Sequence, residues 1–184
     1  MAIAQSLISA EEFMKLGLDR GNFELVRGEV IELPPAMPEH GRVCSNTAFL
    51  LESLGRQSKF GYTLCNDTAI QTAKGPDTVR GADVSYYSQA RWPREQVGGK
   101  LPPVPPDIVV EVVSPGDSAA EVHCKVGEYL EVGVLAVWVV YPRSRRLLIY
   151  RLDQDGPAVL TEAEVLDEVP ELPGFRCTIA DLFV

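Results

Sequence analysis

The stretch Asp107-Ile108-Val109-Val110-Glu111-Val112-Val113 decides how this chain is read. Five of its seven residues are β-branched and apolar, the composition of a strand covered on both faces. Downstream, Ser114-Pro115-Gly116-Asp117 is a turn. Ser118-Ala119-Ala120-Glu121 has the capping-box spacing and opens a helix to about Val132, closed by Gly133. Val134–Tyr141 is a second strand of the same buried kind, and Pro142–Arg146 turns into a hairpin partner, Leu147–Arg151. Upstream, Val79–Tyr87 and Tyr62–Thr72 read as strands, and Arg91–Pro106, rich in proline and glycine, as a surface loop.

Further out, Val43, Thr47, Leu50 and Leu54 recur at spacings of 4, 3 and 4, one face of a helix from Gly41 to about Arg56, ended by Gly55 or Gly61. Pro34, Pro35 and Pro38 break regular structure before it. Phe23–Val26 and Val30–Leu33 flank Arg27-Gly28-Glu29 as a hairpin. Ser9-Ala10-Glu11-Glu12 caps a short first helix that Gly17 stops. After Asp153, only Leu160–Val165 and Phe175–Leu182 suggest short pieces, packed at an edge. The order predicts an α/β (α+β) chain with a mixed sheet flanked by helices, in a single domain. Residues 1–40 would form the N-terminal helix and hairpin, 41–151 the core, and 152–184 an acidic C-terminal extension.

Composition bounds the function. With 184 residues, 46% hydrophobic and 23% charged, the chain is globular rather than disordered. No apolar run approaches the roughly 18–20 residues of a membrane helix, and no secretion signal opens the chain. Cys44, Cys65, Cys124 and Cys177 are scattered, which reads as reduced thiols in a cytoplasmic protein rather than a disulfide framework or zinc knuckle. The net charge of −9 argues against a nucleic-acid partner, but seven acids and no base lie within Asp153–Phe175. Beside that run, Arg143, Arg145, Arg146 and Arg151 form a basic cluster, either a solvated turn or a contact for a DNA backbone.

Glu111 is the residue that does not fit. A carboxylate in the middle of a buried strand is costly unless paired, protonated or metal-bound. Alternation sets it on one face with Asp107, Val109 and Val113. Asp83 lies within the preceding strand and can meet Glu111 if the two strands are neighbours. Two carboxylates about 4 Å apart repel by about 4 kcal/mol at an effective dielectric near 20. A divalent ion relieves that repulsion, and oxygen donors suit Mg²⁺ or Mn²⁺. Lys125, on the next helix, can lean over the end of the sheet and stabilise developing negative charge.

Gly28-Glu29, Pro38-Glu39-His40-Gly41, Val79–Val84, Pro106–Pro115, Lys125 with Tyr129, and Gly133–Pro142 together resemble the Uma-type restriction endonucleases, a branch of the PD-(D/E)XK nuclease superfamily. The resemblance covers roughly residues 10–151. It implies a restriction-endonuclease-like core and Mg²⁺- or Mn²⁺-dependent hydrolysis of DNA phosphodiester bonds. It sets Asp83 in the place of the PD aspartate and Glu111 in that of the second acid. Asp83, Glu111 and the main-chain carbonyl of Val112 would be metal ligands. Val113 stands where the superfamily lysine is expected, so Lys125 is the substitute, and Ala82 replaces the proline. Glu39 and His40, just ahead of the first core helix, would lie near the site, binding a second metal or relaying a proton. A homodimer is expected if both strands of a duplex are cut.

Each assignment has a plainer alternative. Asp83 would be a turn or edge aspartate, Glu111 an arginine-paired acid, and His40 a polar helix start. Lys125 would form an exposed i, i+4 pair with Glu121, worth about 0.3–0.5 kcal/mol, with Glu128 a further partner. His123 and Cys124 point apart on a helix and make a poor metal pair. Trp138 reads as core, and Trp92 is undecided between an exposed contact and a lid. At the level of function, the alternatives to a nuclease are a catalytically inactive nuclease-fold module for protein or nucleic-acid binding, and a metal-dependent hydrolase of a small phosphorylated substrate.

Overall fold

In a computed structural model, residues 7–16 and 22–184 are described. The elements run α1 (Ala10–Lys15), β1 (Asn22–Val26), β2 (Glu29–Leu33), α2 (Pro38–Ser58), β3 (Gly61–Ala73), β4 (Thr78–Ser88), β5 (Ile108–Val112), α3 (Ala119–Glu131), β6 (Ala136–Tyr141), β7 (Arg146–Tyr150), β8 (Ala158–Thr161), β9 (Val165–Leu166) and β10 (Cys177–Thr178). Short 3-10 turns cover Arg94–Gln96 and Ile179–Phe183.

The two apolar runs lie at the centre. β5 and β6 pair in parallel, with Val110 beside Trp138, and every other strand pair is antiparallel. The large sheet has the order β2-β1-β4-β5-β6-β7-β8, with β3 paired to β4. This is the mixed sheet flanked by helices that the element order predicts. One face of β5, carrying Ile108, Val110 and Val112, packs under α2 through Val43 and Leu51. The other face, carrying Val109, meets Val126, Tyr129 and Leu130 of α3. Both capping boxes form: Ser9 and Ser118 each accept from the backbone three residues on, and Glu12 and Glu121 return the contact. Gly133, just past α3, is left-handed at φ +97°, as a closing glycine should be. Gly17 lies outside the described residues.

Helix α2 differs from its expectation at both ends. Pro38 starts the helix instead of breaking the chain ahead of it, because a proline in the first turn lacks only an N–H that has no helical partner there. Glu39 and His40 are therefore inside the first turn and not ahead of the helix. The buried stripe is Val43, Thr47, Leu51 and Gly55, while Leu50 and Leu54 flank it half-buried. Gly55 does not end the helix. It lets α2 lie against the start of β3, since a Cβ there would stand 2.5 Å from the Gly61 carbonyl oxygen. The helix ends at Ser58, with Lys59 left-handed at φ +56°.

The C-terminal region is more than an edge. β8 does extend the sheet beside β7. Beyond it, Leu166, Val169, Leu172, Phe175, Ile179 and Leu182 close the core on the α2 face. Asn46 and Arg42 of α2 donate to the Val184 carbonyl oxygen at 2.6 and 2.7 Å. Trp92 folds back into the core, edge-on to Tyr87 with ring centroids 5.0 Å apart. Among the described residues no helix is long and apolar enough to cross a membrane.

Alanine at an open helical glycine normally stabilises by up to about 1 kcal/mol. At Gly55 the backbone contact reverses the sign, and Gly55→Ala is expected to cost about 1–3 kcal/mol in urea unfolding. Gly127→Ala, where nothing lies within 4 Å of the new Cβ, should instead stabilise.

Candidate active site

Glu111 faces α3 with its side chain 12% exposed. Two α3 residues one turn apart meet it. Tyr129 donates its hydroxyl to Oε1 at 2.7 Å, and Lys125 Nζ stands 3.6 Å from Oε2. Lys125 lies nearer still to Glu24 of β1, at 2.8 Å from Oε1. Glu24 is 2% exposed and also accepts from Arg80 of β4 at 2.8 Å. Arg80 closes the network with a two-pronged contact to Glu128, both bonds 2.7 Å. Lys125 thus turns inward to two buried acids, away from Glu121, which serves the cap of α3. Glu128 belongs to Arg80.

Charge and burial work against each other here. Burial pushes the Glu111 carboxyl up to about 8; Lys125 opposes the rise and the charge of Asp83 adds to it. Burial would lower Lys125, but Glu111 and Glu24 outweigh it and hold the ammonium above the ordinary lysine range. Burial would likewise raise Glu128, but Arg80 overrides it and keeps that acid below its usual value.

Asp83 arrives from β4. The β4–β5 register runs from Tyr86 beside Ile108 to Val84 beside Val110, and Asp83 lies one residue beyond that last pair. Asp83 Oδ2 accepts from the Val112 N–H at 2.7 Å, and Oδ1 lies 3.0 Å from His40 Nε2. His40 is held from behind by Ser114, 3.1 Å from Nδ1. The hydrogen bond to Asp83 outweighs burial and raises the His40 pKa above the ordinary histidine value. Cys44, one turn along α2, completes a group in which His40, Cys44 and Asp83 each offer a donor atom within 4.8 Å of the others. Nearby, β3 is bulged between Cys65 and Thr68, with Asn66 and Asp67 both left-handed. The bulge brings Asp67 over Gly81, where a Cβ would come within 2.9 Å of the aspartate's own. Burial, with the charge of Asp83 adding, raises the Asp67 carboxyl.

Of the residues singled out in the sequence, Glu111 and Lys125 meet on the α3 side, Asp83 and His40 meet beside the first turn of α2, and the charge of Asp83 acts on Glu111. Glu39 is exposed and makes no side-chain hydrogen bond among the described residues. Asp107 is structural, accepting from the Ser88 N–H at 2.5 Å and pairing with Arg91. In the basic cluster, Arg151 pairs with Glu171 at 2.7 Å and Arg145 with Glu162, so acids of the C-terminal region already face two of its four arginines. Sequence reasoning missed Glu24, Arg80, Cys44, Asp67 and Ser114. Glu24 had a usable signal, a charge inside the apolar run Phe23–Val26.

The family model Uma2, described as "Putative restriction endonuclease", matches residues 10–180. A solved structure titled as a putative nuclease belonging to DUF820, from Anabaena variabilis, superposes with a TM-score of 0.80 at 21% identity. That match covers 96% of this chain and 97% of the other. No curated protein matches the chain.

The raised carboxyl of Glu111 makes a pH prediction. Its stabilising contribution is complete below the unfolded value near 4.5 and is lost as pH rises toward about 8, because the unfolded carboxyl ionises first. In metal-free buffer, Glu111→Gln should therefore gain stability relative to the unmodified chain between pH 5 and pH 8. The limiting slope is about 1.4 kcal/mol per pH unit. Urea unfolding of both at several pH values measures it, and a constant difference would contradict the assignment.

Proposed function

The chain belongs to the Uma2 family, and from that premise we propose that it is a metal-dependent DNA endonuclease whose site is built on Asp83, Glu111 and Lys125. The observation that carries the reading is Glu111 itself. It is a buried acid in the central strand that feels the charge of Asp83, with an ammonium 3.6 Å away. The donors suit a hard divalent ion. Asp83, Glu111 and the Val112 carbonyl offer only oxygen, and burial beside Asp83 leaves Glu111 short of positive charge. These three groups would hold Mg²⁺ or Mn²⁺, which supplies Lewis acidity toward a phosphate and a water.

The chain's own residues divide the remaining work. Lys125 stays protonated at neutral pH, so it acts as a fixed cation and donor toward the phosphate rather than as a base. Glu24, anchored by Arg80, is a positioning residue that sets the reach of Lys125. Tyr129 fixes the second oxygen of Glu111. While no ion is bound at Nε2, His40 holds or moves a proton there, beside Asp83. DNA is the substrate in this reading, and a homodimer would present two such sites to the two strands of a duplex.

A second reading, a catalytically inactive module on the same fold, is favoured by one feature: Lys125 stands closer to Glu24 than to Glu111. Plasmid nicking with Mg²⁺ or Mn²⁺ separates the two. The nuclease reading expects near-complete loss in Asp83→Ala and Glu111→Ala, and a loss of about 10²–10³-fold in Lys125→Ala. Equal activity in all four preparations would mean a contaminant. Plasmid binding without nicking would support the binding module.

A further inference from the structure

We propose that His40, Cys44 and Asp83 form a second metal position, selective for a borderline-soft divalent ion of the Zn²⁺ or Co²⁺ class, beside the oxygen-lined position of the nuclease site. The three donor atoms already lie within 4.8 Å of one another, and the His40 Nε2 to Asp83 Oδ1 separation is 3.0 Å. A tetrahedral zinc centre, with bonds of about 2.0–2.3 Å, has ligand atoms roughly 3.3–3.8 Å apart. Only small side-chain shifts separate the two arrangements.

The local fold prepares the set in three ways. His40 and Cys44 are four residues apart on α2, so the ring and the thiol lie on one face of the helix. Ser114 engages Nδ1 at 3.1 Å, which fixes the ring and leaves Nε2 turned toward Asp83. This is the outer contact that metal-binding histidines ordinarily make. Asp83 is steadied by the Val112 N–H on Oδ2, so Oδ1 is the oxygen presented to His40. All three residues are partly buried, with 14% of the His40 side chain and 12% of the Asp83 side chain exposed.

Donor chemistry selects the ion. Mg²⁺ takes oxygen donors and little else, whereas a nitrogen, sulfur and oxygen set suits Zn²⁺ and Co²⁺. Asp83 would then stand between a hard position shared with Glu111 and a softer one shared with His40 and Cys44. Any use of this ion in hydrolysis rests on the nuclease reading; its binding does not.

Cobalt titration of the full chain, with thiols kept reduced by a phosphine, tests the site directly. One equivalent should give a near-ultraviolet sulfur-to-cobalt band with visible bands of tetrahedral Co²⁺, and Zn²⁺ should displace both. Cys44→Ser, nearly the same size, should lose the near-ultraviolet band. Ser114→Ala should weaken binding by about 10–100-fold while keeping it. The Cys65→Ser, Cys124→Ser double variant should bind as the unmodified chain does. Circular dichroism checks that each variant folds, and Cys44→Ala is the second substitution if Cys44→Ser does not. The proposal is overturned if the unmodified chain gives no band, if the band survives in the Cys44 variants, or if it vanishes with Cys65 and Cys124. Cobalt binding without plasmid nicking would remove the nuclease reading and leave this one. Nicking without the cobalt band would do the reverse.

Discussion

A carboxylate in the middle of the central strand is the constraint around which this molecule is arranged. Glu111 sits among valines, and its two oxygens are met by Tyr129 and Lys125. Lys125 is itself withdrawn from solvent and needs Glu24; Glu24, almost wholly buried, needs Arg80; Arg80 needs Glu128. Each member answers the charge of the one before, and the chain of pairs links β5, α3, β1 and β4. Removing one partner from such a buried pair leaves its mate uncompensated, at a typical cost of about 3–5 kcal/mol. Replacing the whole set with apolar residues of similar volume is often neutral or stabilising. Stability alone therefore does not account for so expensive an arrangement.

The fold supplies the geometry with few devices. Parallel pairing of β5 with β6 requires a crossover, and that crossover is α3, which carries Lys125 and Tyr129 over the α3 face of β5. Antiparallel pairing of β4 with β5 ends at Val84 beside Val110, and Asp83 follows directly, accepting from the Val112 N–H. Helix α2 covers the opposite face and enters with its first turn beside Asp83, which is how His40 reaches the carboxylate. The bulge in β3 interrupts regular pairing next to the site and turns Asp67 toward it.

The architecture was largely legible in the sequence because its signals are local. Two β-branched runs, two capping boxes and a 4-3-4 apolar spacing suffice to set the elements in order. Details that depend on distant partners were not. The spacing suggested Leu50 and Leu54, yet the buried positions are Leu51 and Gly55, because Gly55 lies against the Gly61 carbonyl across a turn. Pro38 reads as a breaker and becomes a helix start. The C-terminal hydrophobics Leu172, Phe175 and Leu182 are too sparse to show a period, since they are spaced to fill gaps against α2 and the sheet. In the site, Asp83, Glu111 and Lys125 were visible as charges in apolar or adjoining segments. Asp67 was not, because its placement comes from a bulge, and Cys44 was not, because half-buried cysteine is ordinary in a helix.

The central claim is that Asp83 and Glu111 take one divalent ion between them while Lys125 remains charged beside it. Anomalous diffraction from crystals of the full chain grown with Mn²⁺ tests this most directly. A manganese peak within bonding distance of both carboxylates, with the Lys125 ammonium still facing Glu111, is the predicted result. Manganese density elsewhere, with Glu111 still bound only by Tyr129 and Lys125, would contradict the account.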